Sequence, residues 1–206
     1  MSLTLLIDLD DTLLPNSTEK FLPTYLDTLS KYLDDLAPPQ KILDALFWAT
    51  QKALEAPSID TTIAQRFNRH FYPALGTTPE AEQDRVRAFY TDIFPGLSPV
   101  SAPDPDAIKL IETALDSGYR VAIATQPVFP AAATMERMRW AGLAPEDHPF
   151  EIISTFENFH FGKPHPAYFL ELIAQIGWPE TGFVMLGDSQ EMDIEPAKAL
   201  GMATFW

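Results

Sequence analysis

The sequence predicts an α/β fold, a doubly wound parallel sheet with an inserted α-helical bundle. Three observations carry that prediction. The chain opens on the apolar run Leu3-Thr4-Leu5-Leu6-Ile7, which reads as a buried parallel strand and runs into the acidic cluster Asp8-Leu9-Asp10-Asp11. Residues 17–94 then show helical periodicity and no convincing strand. From Pro103 to the end, strand-like and helix-like segments alternate, the pattern of βα units in a sheet covered by helices on both faces.

Within the helical stretch, Phe21, Tyr25, Leu26, Leu29, Tyr32, Leu33 and Leu36 recur at spacings of three and four. Pro38-Pro39 breaks that helix, and Ile42, Leu43, Leu46, Phe47, Ala49, Ala53 and Leu54 form the next face. Pro57-Ser58 offers a break and cap before Ile63, Phe67, Phe71 and Leu75. Gly76 reads as a stop and Thr78-Pro79-Glu80 as a new start, after which Val86, Phe89, Tyr90 and Phe94 carry a fourth stripe. Four helices with short breaks predict a small bundle. Beyond it, the expected order is helix 107–116, strand 119–124, helix 130–140, short strand 150–154, helix 166–176, strand 183–186, a helix to about Leu200 and a final strand from Ala203. The domain reading is therefore an α/β unit of residues 1–14 and 97–206 with residues 15–96 as an inserted helical bundle, joined through Leu13-Leu14-Pro15 and Leu97 to Pro103.

Composition narrows the function classes. The 206 residues suffice for a substantial core, and 46% apolar content fits a globular chain. Fourteen basic against 29 acidic residues give a net charge of −15, which disfavours nucleic acid and anionic membranes as partners. With no cysteine, disulfide scaffolding, thiol catalysis and cysteine-ligated zinc are excluded, and a cytoplasmic setting is expected. Met1 and Ser2 lead straight into the first strand without a basic leader, and no apolar stretch reaches transmembrane length.

The acidic cluster is the chemical signal. Three carboxylates within four residues repel by several kcal/mol at an effective dielectric constant of about 20, so solvent, a cation or a proton must offset them. Asp8 and Asp10 are two apart and, on an extended chain, point the same way. Asp8, Thr125 and Asp188 each sit at the carboxyl end of a different predicted strand, where open α/β sheets bind ligands.

Asp8-Leu9-Asp10-Asp11-Thr12, then Thr125, then Gly162-Lys163-Pro164, then Gly187-Asp188-Ser189 with Asp193 resembles the haloacid dehalogenase-like superfamily, in particular its phosphatase branch with a helical cap of the phosphoglycolate phosphatase kind. A single Asp-x-Asp is weak; the ordered set of four motifs, spread over the whole chain, is a strong signal. The resemblance implies a Rossmann-like core and a Mg²⁺-dependent phosphomonoester hydrolase acting on a small phosphorylated metabolite, as a monomer or homodimer. It further implies Asp8 as nucleophile, Asp10 as the acid and base that protonates the leaving alkoxide and then activates water, and Thr125 and Lys163 as binders of the phosphoryl group. Asp8, Asp188 and the backbone carbonyl of Asp10 are the implied metal ligands, with Asp193, Thr12 and Ser189 as support. Gln126 stands where the family often has Asn and is a candidate substrate contact; Arg66, Arg69 and His70, together on one predicted helix, are candidates for a second anionic group. Relatives usually continue past the last strand, so a further C-terminal segment is expected.

Each residue also has a plainer reading. Thr125 and Asp188-Ser189 suit helix N-caps, Lys163 a solvated loop, Asp193 a first-turn acid, and Arg66, Arg69 and His70 a solvated helix face. Asp11 reads as a solvated acid outside the catalytic set. The enzyme rival is a phosphomutase of the same superfamily. Dehalogenation is disfavoured, because a halide leaving group does not need the proton of Asp10. Rivals of another class are a signalling receiver domain, for which the chain is too long and its first acidic cluster too early, and a protein that binds phospho-ligands without turnover.

Overall fold

The computed structural model describes residues 3–15, 17–179 and 182–206; the Met1-Ser2 lead-in lies outside them. Among the described residues, four parallel strands form one sheet: β1 (Thr4–Ile7), β2 (Arg120–Ile123), β3 (Phe183–Leu186) and β4 (Ala203–Phe205), in the order β2-β1-β3-β4. Leu6 lies opposite Ala122 on one side and Met185 on the other. All four residues of β1 are buried, as its continuous apolar run requires of a strand covered on both faces.

The expected strand at 150–154 forms only partly. Glu151 N–H donates to the Val121 carbonyl, Ile123 N–H to that of Ile152, and Ser154 N–H to that of Ile123, so the segment runs beside β2, yet it contributes a single bridge, Ile123 to Ile153. The reason is local. The Ser154 hydroxyl turns inward to the carbonyls of Ile123 and Thr125, and the Asn158 side chain caps Thr155 N–H, bending the chain away.

Among the described residues, eight α-helices accompany the sheet: α1 (Leu22–Tyr32), α2 (Pro39–Glu55), α3 (Ile63–Leu75), α4 (Pro79–Ala88), α5 (Pro105–Asp116), α6 (Ala131–Trp140), α7 (Pro166–Gln175) and α8 (Glu195–Ala199). Thr78 caps α4 where the sequence signalled a start, whereas α3 is opened by Thr62, with a capping box to Gln65, and not by Ser58; Asp104 caps α5. The fourth helical stripe does not stay α-helical. After Ala88 it widens into a π-type turn over Phe89–Ile93 and then tightens to a 3₁₀ helix over Phe94–Val100, where Pro95 and Pro99 lack the N–H an α-helix needs. The expected last helix likewise begins as a π-type turn, Gln190–Ile194, before α8. The chain runs from β1 outward to β2 and the 151–154 segment, then back across to β3 and β4. With this strand order, the right-handed rule for parallel crossovers assigns α5 and α6 to one face and α7 and α8 to the other, and α7 and α8 pack together.

The helical stretch is seated on the sheet-bearing part in two places. Phe21 and Phe94 meet α6: Phe94 stacks on Trp140 at 5.1 Å and Phe21 meets it edge-on at 5.6 Å. At the second place, two free N–H groups at the start of α3, those of Ile63 and Ala64, donate to the carbonyls of Phe159 and Phe156, each at 2.9 Å. Arg66 completes this seat. It is 6% exposed rather than a solvated side chain, and it borders a surface pocket shared with Arg69 and His70. Its guanidinium donates to the carbonyls of Ala53 (2.7 Å), Ser58 (3.3 Å), Thr61 and, across the junction, His160 (2.6 Å). Planar geometry with five donors suits a guanidinium to this role as a backbone cross-brace.

Arg66→Ala strips these carbonyls of charged donors and is expected to lower stability by about 3 kcal/mol, whereas the exposed neighbour change Arg69→Ala stays within about 0.5 kcal/mol. Urea midpoints of the two variants check this; equal midpoints would refute the brace.

Candidate active site

The carboxyl end of β1 is where the chain's excursions to either side of the sheet diverge, a crevice that open α/β sheets use for ligands. Asp8 extends the strand by one more ladder bond, its N–H donating to Leu186 at 2.9 Å. The chain then turns sharply: Leu13 and Leu14 N–H both return to the Leu9 carbonyl, and Asp11 takes φ 58°. Beside this turn, Asp8 meets the ammonium of Lys163 and Asp10 the guanidinium of Arg137.

The Asp8 carboxylate is buried. Lys163 Nζ donates to its Oδ1 at 2.7 Å and Thr12 Oγ1 to its Oδ2 at 3.2 Å. The same ammonium donates to Asp193 Oδ1 at 2.5 Å, and Asp193 Oδ2 accepts the Ser189 N–H at 3.2 Å. Burial would pull the Lys163 ammonium down, but the charge of Asp8, with Tyr168 and Asp193, holds it above the ordinary lysine value. Asp193 has its carboxyl pushed up by burial and by the charge of Asp8, against the pull of Lys163. Burial and the charges of Asp8 and Asp193 also push Asp188 up. Oxygen atoms of Asp8, Asp188 and Asp193 lie within 4.8 Å of one another, with Asp188 exposed. An all-oxygen, all-carboxylate donor set with only one internal ammonium against it suits a small hard divalent cation. Gly187 makes the set possible, since a Cβ there would lie 2.3 Å from Asp193 Oδ2.

Thr125, at the end of β2, is buried, and its hydroxyl reaches Asp10 Oδ2 at 3.4 Å. Its carbonyl accepts from Ser154 Oγ at 2.7 Å and Tyr168 OH at 2.9 Å, two positioning partners that sequence reading passed over. Ser189 caps the following turn by accepting from Met192 N–H. Gln126 has a structural role that its expected substrate contact did not include. Its amide grips the backbone of Lys163, donating to the carbonyl at 3.0 Å and accepting the N–H at 2.8 Å. It fixes the lysine's base and also lines the cleft beside it. Arg69 and His70 are not brought to the carboxylates: they line a separate surface pocket with Lys52, Ser58 and Asp60. Beside Lys163, a cleft of about 620 Å³ opens between the end of α2 (Gln51, Leu54) and the start of α7 (His165).

The largest omission from the sequence reading is Arg137. It projects from α6, is 1% exposed, and its guanidinium is ion-paired with Asp10 Oδ1. Burial pulls this group down to about 9 and the charge of Asp8 opposes that, so it stays protonated at neutral pH. A signal was present. Arg137 falls in register with Ala133, Thr134, Met138 and Ala141, the buried stripe of the helix, where an arginine needs a partner.

The haloacid dehalogenase-like hydrolase family profile matches residues 3–201. The chain is 34% identical over 126 residues to a phosphoglycolate phosphatase of Mesorhizobium japonicum, covering 59% of this chain and 52% of the relative. It is 31% identical over 103 residues to a glyceraldehyde 3-phosphate phosphatase of Methanocaldococcus jannaschii, covering 50% and 42%. The chain thus spans about half the length of the curated relatives it matches. Among solved structures, a 2-haloacid dehalogenase of Pseudomonas syringae superposes with a TM-score of 0.63 at 24% identity over 100% of this chain and 86% of that one, a likeness of fold.

Gly187→Ala is expected to displace Asp193 and loosen its bond to Lys163, with a stability loss of about 2 kcal/mol in a thermal melt. An unchanged melting temperature would show that the cradle is not tight.

Proposed function

Because this chain belongs to the haloacid dehalogenase-like hydrolase family, we propose that it is a Mg²⁺-dependent phosphatase that hydrolyses a small phosphorylated metabolite through an aspartyl-phosphate on Asp8. The observation that carries this reading is the buried Asp8 carboxylate held from two sides by Lys163 and Thr12, with Asp10 close by on its own cation. The names of the two curated relatives support a phosphomonoester of a small acid or aldehyde as substrate.

Asp8 attacks phosphorus in line, and the ester P–O bond breaks as Asp10 hands a proton to the departing alkoxide. Water then attacks the aspartyl-phosphate; Asp10 takes its proton, the Asp8 carboxylate leaves, and inorganic phosphate is released. Lys163 stands ready to balance the charge of the transferring group, and Thr125 to bind one of its oxygens. Asp8, Asp188 and the Asp10 carbonyl would hold Mg²⁺, which supplies neutralisation of the phosphoryl charge against the incoming carboxylate. Asp193 keeps Lys163 in line. Residues 15–96 act as a cap over the crevice, with the Ser101 hydroxyl bound to the Pro15 carbonyl at 2.6 Å where its two connections meet. The proposal carries no nucleic-acid or membrane partner: the net charge is −15, and among the described residues no helix is long and apolar enough to cross a membrane.

With Mg²⁺, the protein is expected to turn over 4-nitrophenyl phosphate, and chelation to stop it. Asp8→Asn should lower kcat by at least about 10³-fold with an unchanged circular dichroism spectrum; surviving turnover would overturn the nucleophile assignment. Mg²⁺ at about 100 times its dissociation constant should add about 2.7 kcal/mol of stability, and Asp188→Asn should remove most of that gain in a thermal shift assay.

A further inference from the structure

The guanidinium of Arg137 is held in a way that a buried surface-type ion pair is not. It lies over the Phe21 ring at 4.7 Å and over the Phe129 ring at 4.9 Å. Phe129 belongs to the loop after Thr125, and Phe21 to the helical stretch, so the cation is seated in an aromatic sleeve built from both parts of the molecule. Phe21 in turn packs against Tyr25, Phe94 and Trp140, which leaves the sleeve little freedom. From this seat the guanidinium meets Asp10 Oδ1, while Thr125 Oγ1 reaches Oδ2 at 3.4 Å. Both oxygens of the Asp10 carboxylate therefore have a partner, and its plane is fixed by two groups on different elements.

We propose that Arg137 is a positioning residue that holds the Asp10 carboxylate in register for proton transfer, with Phe21 of the helical stretch and Phe129 of the sheet-bearing part forming its seat. This rests on the phosphatase reading above. The physical argument is one of orientation. Asp10 lies beyond the end of β1 in a tight turn, with a side chain only partly buried, so rotation about its own bonds would otherwise sample several rotamers. A proton donor must lie within hydrogen-bond reach of the leaving oxygen, and small misplacements are costly in rate. With Oδ1 anchored by Arg137, the Oδ2 edge beside Thr125 is the edge that carries the proton, first to the leaving alkoxide and later from the attacking water. Arginine suits the task because its planar fork fixes direction as well as charge.

The test uses the full chain with Mg²⁺ and two esters. 4-Nitrophenyl phosphate has a leaving group that needs no proton; glycerol phosphate has one that does. For Arg137→Met, which refills the aromatic sleeve without the cation, kcat/KM for glycerol phosphate is expected to fall about 10²-fold or more with KM little changed. For the aryl ester it is expected to fall less than about 10-fold, with a burst of one nitrophenolate per enzyme, because forming the aspartyl-phosphate no longer needs Asp10 but hydrolysing it does. Arg137→Lys keeps the charge but not the fork; it should recover part of the loss and show the same preference for the aryl ester, and it carries the test if the Met variant does not fold. Equal losses on both esters without a burst would make Arg137 merely structural and overturn the proposal. A raised KM with unchanged kcat would mark it as a substrate contact, which also overturns it. Failure of the wild-type chain to hydrolyse either ester is a separate result that removes the phosphatase reading itself.

Discussion

A lysine ammonium shut between two carboxylates organises this molecule. Lys163 Nζ binds Asp8 at 2.7 Å and Asp193 at 2.5 Å, and all three groups are buried. Removing one partner would leave an uncompensated charge in a medium of low dielectric, an arrangement that costs several kcal/mol. The three residues come from the end of β1, a loop before α7 and the turn after β3, so their pairing ties distant parts of the chain to one point. Much of the surrounding detail serves this pairing. Gln126 grips the lysine's backbone at both ends, Gly187 leaves room for Asp193, and Thr12 takes the far oxygen of Asp8.

The pairing accounts for the charge balance of the crevice. Asp8 and Asp193 against Lys163 leave one net negative charge inside, and Asp188 adds another at the rim. Burial first, and then the charge of the neighbouring acids, pushes the Asp188 and Asp193 carboxyls up. Asp10 stays out of this group because the turn after Leu9 sends it to Arg137. The result is two ion pairs within one five-residue motif, one on an ammonium and one on a guanidinium, coupled through the charge of Asp8 on Arg137. A 2-haloacid dehalogenase shares the fold, so the fold alone does not choose the reaction. On the proposed mechanism, the choice lies in side chains such as Asp10 and the groups that aim it.

Two junctions connect the helical stretch to these units. Arg66 and the start of α3 bind the carbonyls of residues 156, 159 and 160, just ahead of Lys163. Phe21 closes the sleeve around Arg137. Any movement of the helices relative to the sheet would therefore pull on the lysine loop at one end and on the seat of Arg137 at the other. The His160 imidazole and backbone N–H both bind Glu171 of α7, which anchors the loop from the opposite side.

Much of this was legible in the sequence, because the relevant physics is local. An apolar run ending in clustered carboxylates, stripes at three and four, a start such as Thr78-Pro79, and glycines beside acids declare themselves within a few residues, and so the strands, the helices and the residues gathered at Asp8, Lys163, Asp188 and Asp193 could be named in advance. What needed the tertiary structure were the side chains whose partners lie far along the chain. Arg66 looked like a surface cation, yet one of its donors reaches a carbonyl 94 residues away. Gln126 looked like a ligand contact, and it also binds a backbone 37 residues on. Arg137 sat unremarked in a helix whose apolar stripe it interrupts, because nothing within a turn of it shows the carboxylate it meets. Burial, and the partner that makes burial of a charge tolerable, are properties of the packed molecule, and only folding supplies them.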